Sequence, residues 1–194
     1  MKLNYKDIEA FKIFTITPYA SPEAMKTFVT ENRLRTYKKE GLVRKIKYYD
    51  QKHNCNKVAY SLTHKGQEWS QKSLYLNTTY TLDRRTARHD CKVSEAYAML
   101  DPVERENAVS EHHFRDIAQE AMEKYLEQGE WERAKEIQQA LLHSQFSAPD
   151  IIYHTPEGQI VCCEVVTEHY SGSECQIKAD TSTLIGADYY QIHT

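Results

Sequence analysis

The stretch Tyr60-Ser61-Leu62-Thr63-His64-Lys65-Gly66 decides how the front of this chain folds. It ends a run of strand formers, Val58 to Leu62, and opens a helix at Gln67-Glu68-Trp69. A strand ending in Leu62-Thr63, then a polar residue, then Lys65-Gly66, marks a hairpin leaving into a helix. Upstream lies a basic helix-turn-strand run from Thr30 to Asp50. The stretch is therefore the exit of a basic module, and the rest of the chain has to be read against it.

Ile8, Phe11 and Ile13 recur at mostly helical spacing and give a first helix over Tyr5 to Phe14. Ser21-Pro22-Glu23-Ala24 opens a second, with Ser as the cap, Pro in the first turn and an acid beside it. That helix runs to about Val29; Thr30 then caps a third, which continues to Glu40 and ends at Gly41. Two short helices on a tight turn, followed by strands, have helix-turn-helix geometry. With the hairpin they predict a winged helix-turn-helix domain over residues 1–73.

The third helix carries Arg33, Arg35, Lys38 and Lys39 with Tyr37, while Leu34 turns to the core. Such a helix suits a major groove: cations for phosphates and guanine edges, Asn32 for adenine. Leu42 to Tyr49 is β-rich and basic, with Val43, Lys45 and Lys47 alternating against Leu42, Arg44 and Ile46. Asp50 to Lys57 reads as a polar loop bearing Lys52, His53 and Lys57. The hairpin cations Arg44, Lys45, Lys47, Lys52 and Lys57 are expected on the DNA backbone or in the minor groove. Double-stranded DNA is the expected partner, with no cofactor needed for that binding. His53 and His64 read as surface residues rather than ligands.

Charge supports a division of the chain. Residues 1–72 hold 15 Lys+Arg against 7 Asp+Glu, whereas residues 73–194 hold 10 against 21. A basic front faces polyanion; an acidic back cannot lie along DNA except locally or with a metal between. At 27% charged and 40% hydrophobic residues the chain reads as soluble and globular. No apolar run approaches the roughly 18–20 residues that span a bilayer. The N-terminus has no apolar signal core, so the cytoplasm is the expected location. Cys55, Cys91, Cys162, Cys163 and Cys175 form no CxxC pair and give no set of zinc ligands. Adjacent Cys162 and Cys163 in a strand point to opposite faces; the five read as reduced, mostly buried thiols.

In the acidic half, residues 74–88 form a polar connector with scattered strand formers (Tyr75, Tyr80, Leu82) and Arg84-Arg85. Arg88-His89-Asp90 leads into a helix through Leu100, and helices are expected over Glu104–Gln128 and Glu130–Leu142, divided at Gly129. Ile117, Met122, Tyr125, Leu126, Ile137, Ala140 and Leu141 supply their apolar stripe. Ile151-Ile152-Tyr153 reads as a strand, Thr155-Pro156-Glu157-Gly158 as a turn, and Gln159 to Val166 as the returning strand. Asp150 and Glu164 then lie on neighbouring strands. Two such carboxylates can hold Mg²⁺ through oxygen, and the metal can polarise a phosphodiester and activate water.

Pro149-Asp150…Glu164 resembles the PD-(D/E)xK nuclease core, so the second domain, over 89–194, is expected to be α/β and the whole chain α+β. The usual lysine two residues after the glutamate is replaced by Val166; the resemblance implies that Lys178, in Gln176-Ile177-Lys178-Ala179-Asp180, takes its place. It also implies a third acid from the preceding helix, for which Glu120 and Glu123 are both available, Glu120 being the one taken as a metal ligand. End to end, the chain is similar to the replication-relaxation family of plasmids and integrative elements. Its carriers are Tyr60–Gly66, the Arg88-His89-Asp90…Val93 segment, and Pro149-Asp150…Glu164-Val165-Val166-Thr167…Lys178. That resemblance implies a DNA-binding accessory or regulatory protein of a plasmid or mobile element, working with replication or mobilisation proteins or as a homodimer. Because Val166 stands where a lysine is usual, holding DNA is favoured over cutting it, with a Mg²⁺-dependent endonuclease as the alternative. A third reading has the acidic helices mimicking nucleic acid.

Overall fold

A computed structural model describes residues 3–78, 82–83, 85–142, 147–167 and 171–194. They form an α+β protein that divides into two compact units, Met1–Leu100 and Asp101–Thr194. The sequence boundary at 88 is thereby displaced. Helix α5 (Ala87–Met99) belongs with the first unit, because Cys91 and Ala87 pack against Ile46, Ala59 and Tyr19. Ser94 Oγ also accepts from the Ser21 N–H at 3.0 Å. Drawn at Leu100, the charge split is 19 Lys+Arg to 10 Asp+Glu in the first unit and 6 to 18 in the second.

The first unit runs α1 (Tyr5–Ile16), α2 (Pro22–Phe28), α3 (Glu31–Lys39), β1 (Val43–Asp50), β2 (Cys55–Leu62) and α4 (His64–Leu74), then α5. Ser21 and Thr30 cap α2 and α3, their hydroxyls accepting from the Ala24 and Arg33 N–H groups. β1 and β2 pair antiparallel from Val43↔Leu62 to Asp50↔Cys55. The loop is thus shorter than the expected Asp50 to Lys57, and Asn54 turns it with φ of 50°. Of the connector, Tyr80 and Arg84 lie outside the described residues.

Thr63 and Gly66 fix the hairpin exit. The Thr63 hydroxyl donates to the Gly41 carbonyl at 2.5 Å and accepts from the Gly66 N–H at 3.0 Å, tying the end of α3 to the start of α4. Gly66 lies so close to the preceding segment that a Cβ there would fall 1.9 Å from the Leu42 carbonyl oxygen. Backbone must move to admit any side chain. Gly66→Ala is expected to cost about 1–3 kcal/mol as an overpacking change; a denaturant midpoint unchanged from wild type would refute that contact.

The second unit contains α6 (Pro102–Asn107), β3 (Val109–Ser110), a 3-10 turn (Glu111–His113), α7 (Phe114–Glu127), α8 (Trp131–Leu142), β4 (Ile151–His154), β5 (Ile160–Val166), α9 (Gly172–Leu184) and β6 (Asp188–His193). The continuous helix expected from Glu104 is therefore broken at Asn107. Val109 and Ser110 leave it to pair with Ile152 and Ile151, a two-residue edge too short for any period to be legible. The sheet order is β3-β4-β5-β6. β4 and β5 are an antiparallel hairpin; β5 and β6 run parallel, joined through α9. Ile152, Cys162, Phe114, Ala118, Ile137 and Ile185 make one core cluster on one sheet face. Burial pushes the Cys162 thiol to about 11 and Cys163, on the opposite face, to about 12. Protonated thiols of that kind are inert. No described helix is long and apolar enough to cross a membrane.

Candidate functional site

In the first unit the structure sorts the predicted DNA-contacting residues into those built into the fold and those presented outward. Arg33 belongs to the fold. Its Nε and Nη2 donate to the two oxygens of fully buried Asp7 at 2.6 and 2.5 Å, and Tyr37 donates to the same carboxylate at 2.5 Å. Burial pushes the Asp7 carboxyl up, but the bonds from Arg33, Tyr37 and Asn4 outweigh it and leave the pKa below the usual range. Lys57 is committed in the same way. It lies 2.5 Å from Asp50, which also accepts from His53 at 2.8 Å and faces Arg88 at 3.5 Å. Neither Arg33 nor Lys57 can serve DNA without breaking a buried ion pair. Asp7 meets Arg33 and Tyr37, 26 and 30 residues on, only in the fold, whereas Asp50 and Lys57 meet across their hairpin once its register is set.

The outward set is coherent. Strand β1 turns Ile46 and Tyr48 toward Cys91 and Ala87, so Lys45, Lys47 and Tyr49 occupy the other face and are exposed. Lys45 pairs in register with Tyr60, and the Lys38 ammonium of α3 stands 6.0 Å from the Tyr60 ring. The outer hairpin face and the last turn of α3 therefore meet at Tyr60, forming one cationic strip through Lys38, Lys45 and Lys47. Asn32, Arg35 and Lys39 are exposed on α3. Arg35 makes an exposed pair with Glu31 at 3.0 Å, of the kind worth only a few tenths of a kcal/mol and readily exchanged for a phosphate. Arg44 is exposed but donates to Ser61 Oγ at 3.1 Å, and Lys52 is exposed in the hairpin loop. His53 and His64 are surface residues.

In the second unit, Asp150, Glu164 and Lys178 are all buried and come together. Ile151 pairs with Cys163, and one further step of that antiparallel register sets Asp150 opposite Glu164, on the same sheet face. Asp150 Oδ2 accepts from the Val165 N–H at 2.8 Å, which fixes the carboxylate beside Glu164. Lys178 reaches Glu164 Oε1 at 2.6 Å from α9. Capping at Ser171, whose hydroxyl accepts from the Glu174 N–H, starts α9 where it must to aim Lys178 at β5.

Glu120 does not join them. It is exposed on α7 and lines a cavity of about 510 Å³ with His154, Gly158 and Ile160, at the hairpin end of the sheet. Four residues of strand, about 13 Å, separate Ile160 from Glu164. Glu123 is exposed on α7, where it accepts from Gln119 at 3.3 Å. Among the described residues no group of three or more His, Cys, Asp or Glu side chains could hold a metal ion. Asp150 and Glu164 nonetheless suit a hard cation by donor type, two carboxylates with one ammonium leaving an excess negative charge among the three.

Strand β6 went unpredicted, although Tyr189 to His193 is a strand-forming run bounded by Gly186. Its register places Gln191 beside Glu164 and His193 beside Val166. Compared with protein families, curated proteins and solved structures, the chain matches no family model, no curated protein and no solved structure.

Proposed function

We propose that the chain binds double-stranded DNA with its first unit, read as a winged helix-turn-helix, and hydrolyses phosphodiesters with its second, read as a PD-(D/E)xK-like nuclease domain. The observation that carries the catalytic half is the Lys178–Glu164 contact at 2.6 Å beside Asp150. It supplies from α9 the cation that position 166 lacks, and removes the main reason for preferring a protein that only holds DNA. Mg²⁺ held by Asp150 and Glu164 would polarise the phosphodiester and lower the pKa of a water nucleophile. Lys178 holds Glu164 in place and adds a fixed positive charge where negative charge develops on phosphate oxygens. Supercoiled plasmid is expected to be nicked or linearised with Mg²⁺ or Mn²⁺ but not with EDTA, and to stay intact with Asp150→Asn. Intact plasmid with wild-type protein in both metals returns the function to DNA holding alone, as an accessory protein of a plasmid or mobile element.

The binding half rests on the strip through Lys38, Lys45 and Lys47. Each phosphate contact removed lowers the slope of log affinity against log salt by about 0.9. The triple variant Lys38→Ala, Lys45→Ala, Lys47→Ala is thus expected to flatten the slope by two to three such steps for duplex DNA. Arg33→Ala should instead show as lost stability. A triple variant with the wild-type slope would remove the strip from the interface.

A further inference from the structure

Strand β6 brings one more proton-carrying group to the face that holds Asp150 and Glu164. In the parallel pairing of β5 and β6, Glu164 stands beside Gln191 and Val166 beside His193. Pairing holds to the end of the chain described, since the Thr194 N–H donates to the Val166 carbonyl at 3.3 Å. Register partners in neighbouring strands share a face, and residues two apart return to it. Asp150, Glu164, Gln191 and His193 therefore point to the same side. Tyr189, one step earlier on that face, corroborates this. Burial pushes its hydroxyl up to about 12, and the charges of Glu164 and Asp150 add to the rise. His193 is exposed, so it can exchange its proton with solvent between turnovers. On that face Asp150 stands on β4 and Glu164 on β5, while His193 stands on β6, on the side of β5 away from β4. In-line displacement at phosphorus needs its attacking and leaving oxygens on opposite sides.

We infer that His193 is the general acid of the proposed hydrolysis, protonating the leaving oxygen from the β6 side. This rests on the nuclease reading above. In the step, a water oxygen bonds to phosphorus and its proton passes to bulk solvent. The phosphorus–oxygen bond to the leaving nucleoside breaks, and the imidazolium gives that oxygen its proton. Solvent then reprotonates the imidazole, so nothing is oxidised or reduced.

The test compares wild type and His193→Ala on a DNA duplex and on duplexes with one 3′- or 5′-bridging phosphorothiolate, all with Mg²⁺ or Mn²⁺. A thiolate leaves without needing a proton, so only a general-acid defect is repaired by that substitution. His193→Ala is expected to lose about 10²–10⁴-fold on ordinary DNA and to recover to near the wild-type rate on one of the two sulfur-containing duplexes. A merely structural role would lower all three rates together, and that result overturns the inference while leaving the nuclease reading intact. So does an unchanged rate on ordinary DNA. If wild type cuts none of the three duplexes, the nuclease reading falls and this inference with it.

Discussion

Lys178→Met is expected to damage the protein twice, and the two effects can be separated. Glu164 is fully buried and Lys178 nearly so, so removing the ammonium leaves a carboxylate inside the second unit without the cation at 2.6 Å. Breaking a buried pair from one side costs about 3–5 kcal/mol, whereas replacing both members with apolar groups of similar size is often close to neutral. Glu164→Leu with Lys178→Met should therefore regain most of the stability lost by Lys178→Met alone. The proposed catalysis should respond differently. The single variant should cut DNA about 10²–10³-fold more slowly, the usual loss when one preorganised charge-stabilising group is removed. The double variant should not cut at all, because one of the two carboxylates proposed to hold the metal is gone. Denaturant melts and plasmid cleavage on the same preparations check both halves. A double variant as unstable as the single one would show that the pair is not what stabilises this face.

Asp7→Asn is expected to cost the first unit heavily. The Asp7 carboxylate holds Arg33 and Tyr37 together, and so joins the start of α1 to α3. Arg33 is a quarter exposed and regains some hydration when released, which places the cost near the lower end of the buried-pair range, about 3 kcal/mol. The sign of the pH effect follows from the lowered pKa of Asp7 in the fold. The unfolded chain binds this proton more readily than the folded one. The stabilisation is thus complete above the unfolded value of 3.8 and is lost as pH falls below it toward the folded value. Wild type should lose stability steeply in that acid window, and Asp7→Asn should be less stable at neutral pH but flatter below it. Parallel stability-pH curves for the two proteins would exclude Asp7 as a source of the acid sensitivity.

Much of the first unit was legible because its signals are local. Ser21-Pro22, Thr30 and Gly41 are capping and stop residues that act within one turn of the backbone, and each helix starts or ends beside them. Period-two alternation in β1 put Lys45 and Lys47 on one face and Ile46 on the other, which the hairpin keeps. The second unit was legible only where strands are long enough to show a period. Asp150, Glu164 and Lys178 could be picked out as residue types. Nothing local showed that Lys178 would meet Glu164, since that depends on where Ser171 starts α9 and on β5 lying beneath it.

The sequence by itself determined the helix boundaries of the first unit, the basic front and acidic back, and the hairpin that presents Asp150 and Glu164 on adjacent strands. Only the tertiary structure decided which charges face outward. Arg33 and Lys57 carry the same charge as Lys45 and Lys47, yet a buried carboxylate claims each of the first two. It likewise decided that α5 belongs to the first unit, that Glu120 lies away from the acidic pair, and that β6 brings His193 alongside. Capping and alternation act over a few residues and can be read along the chain. Ion pairing and strand register join residues far apart in sequence, and their partners are fixed only when the core closes.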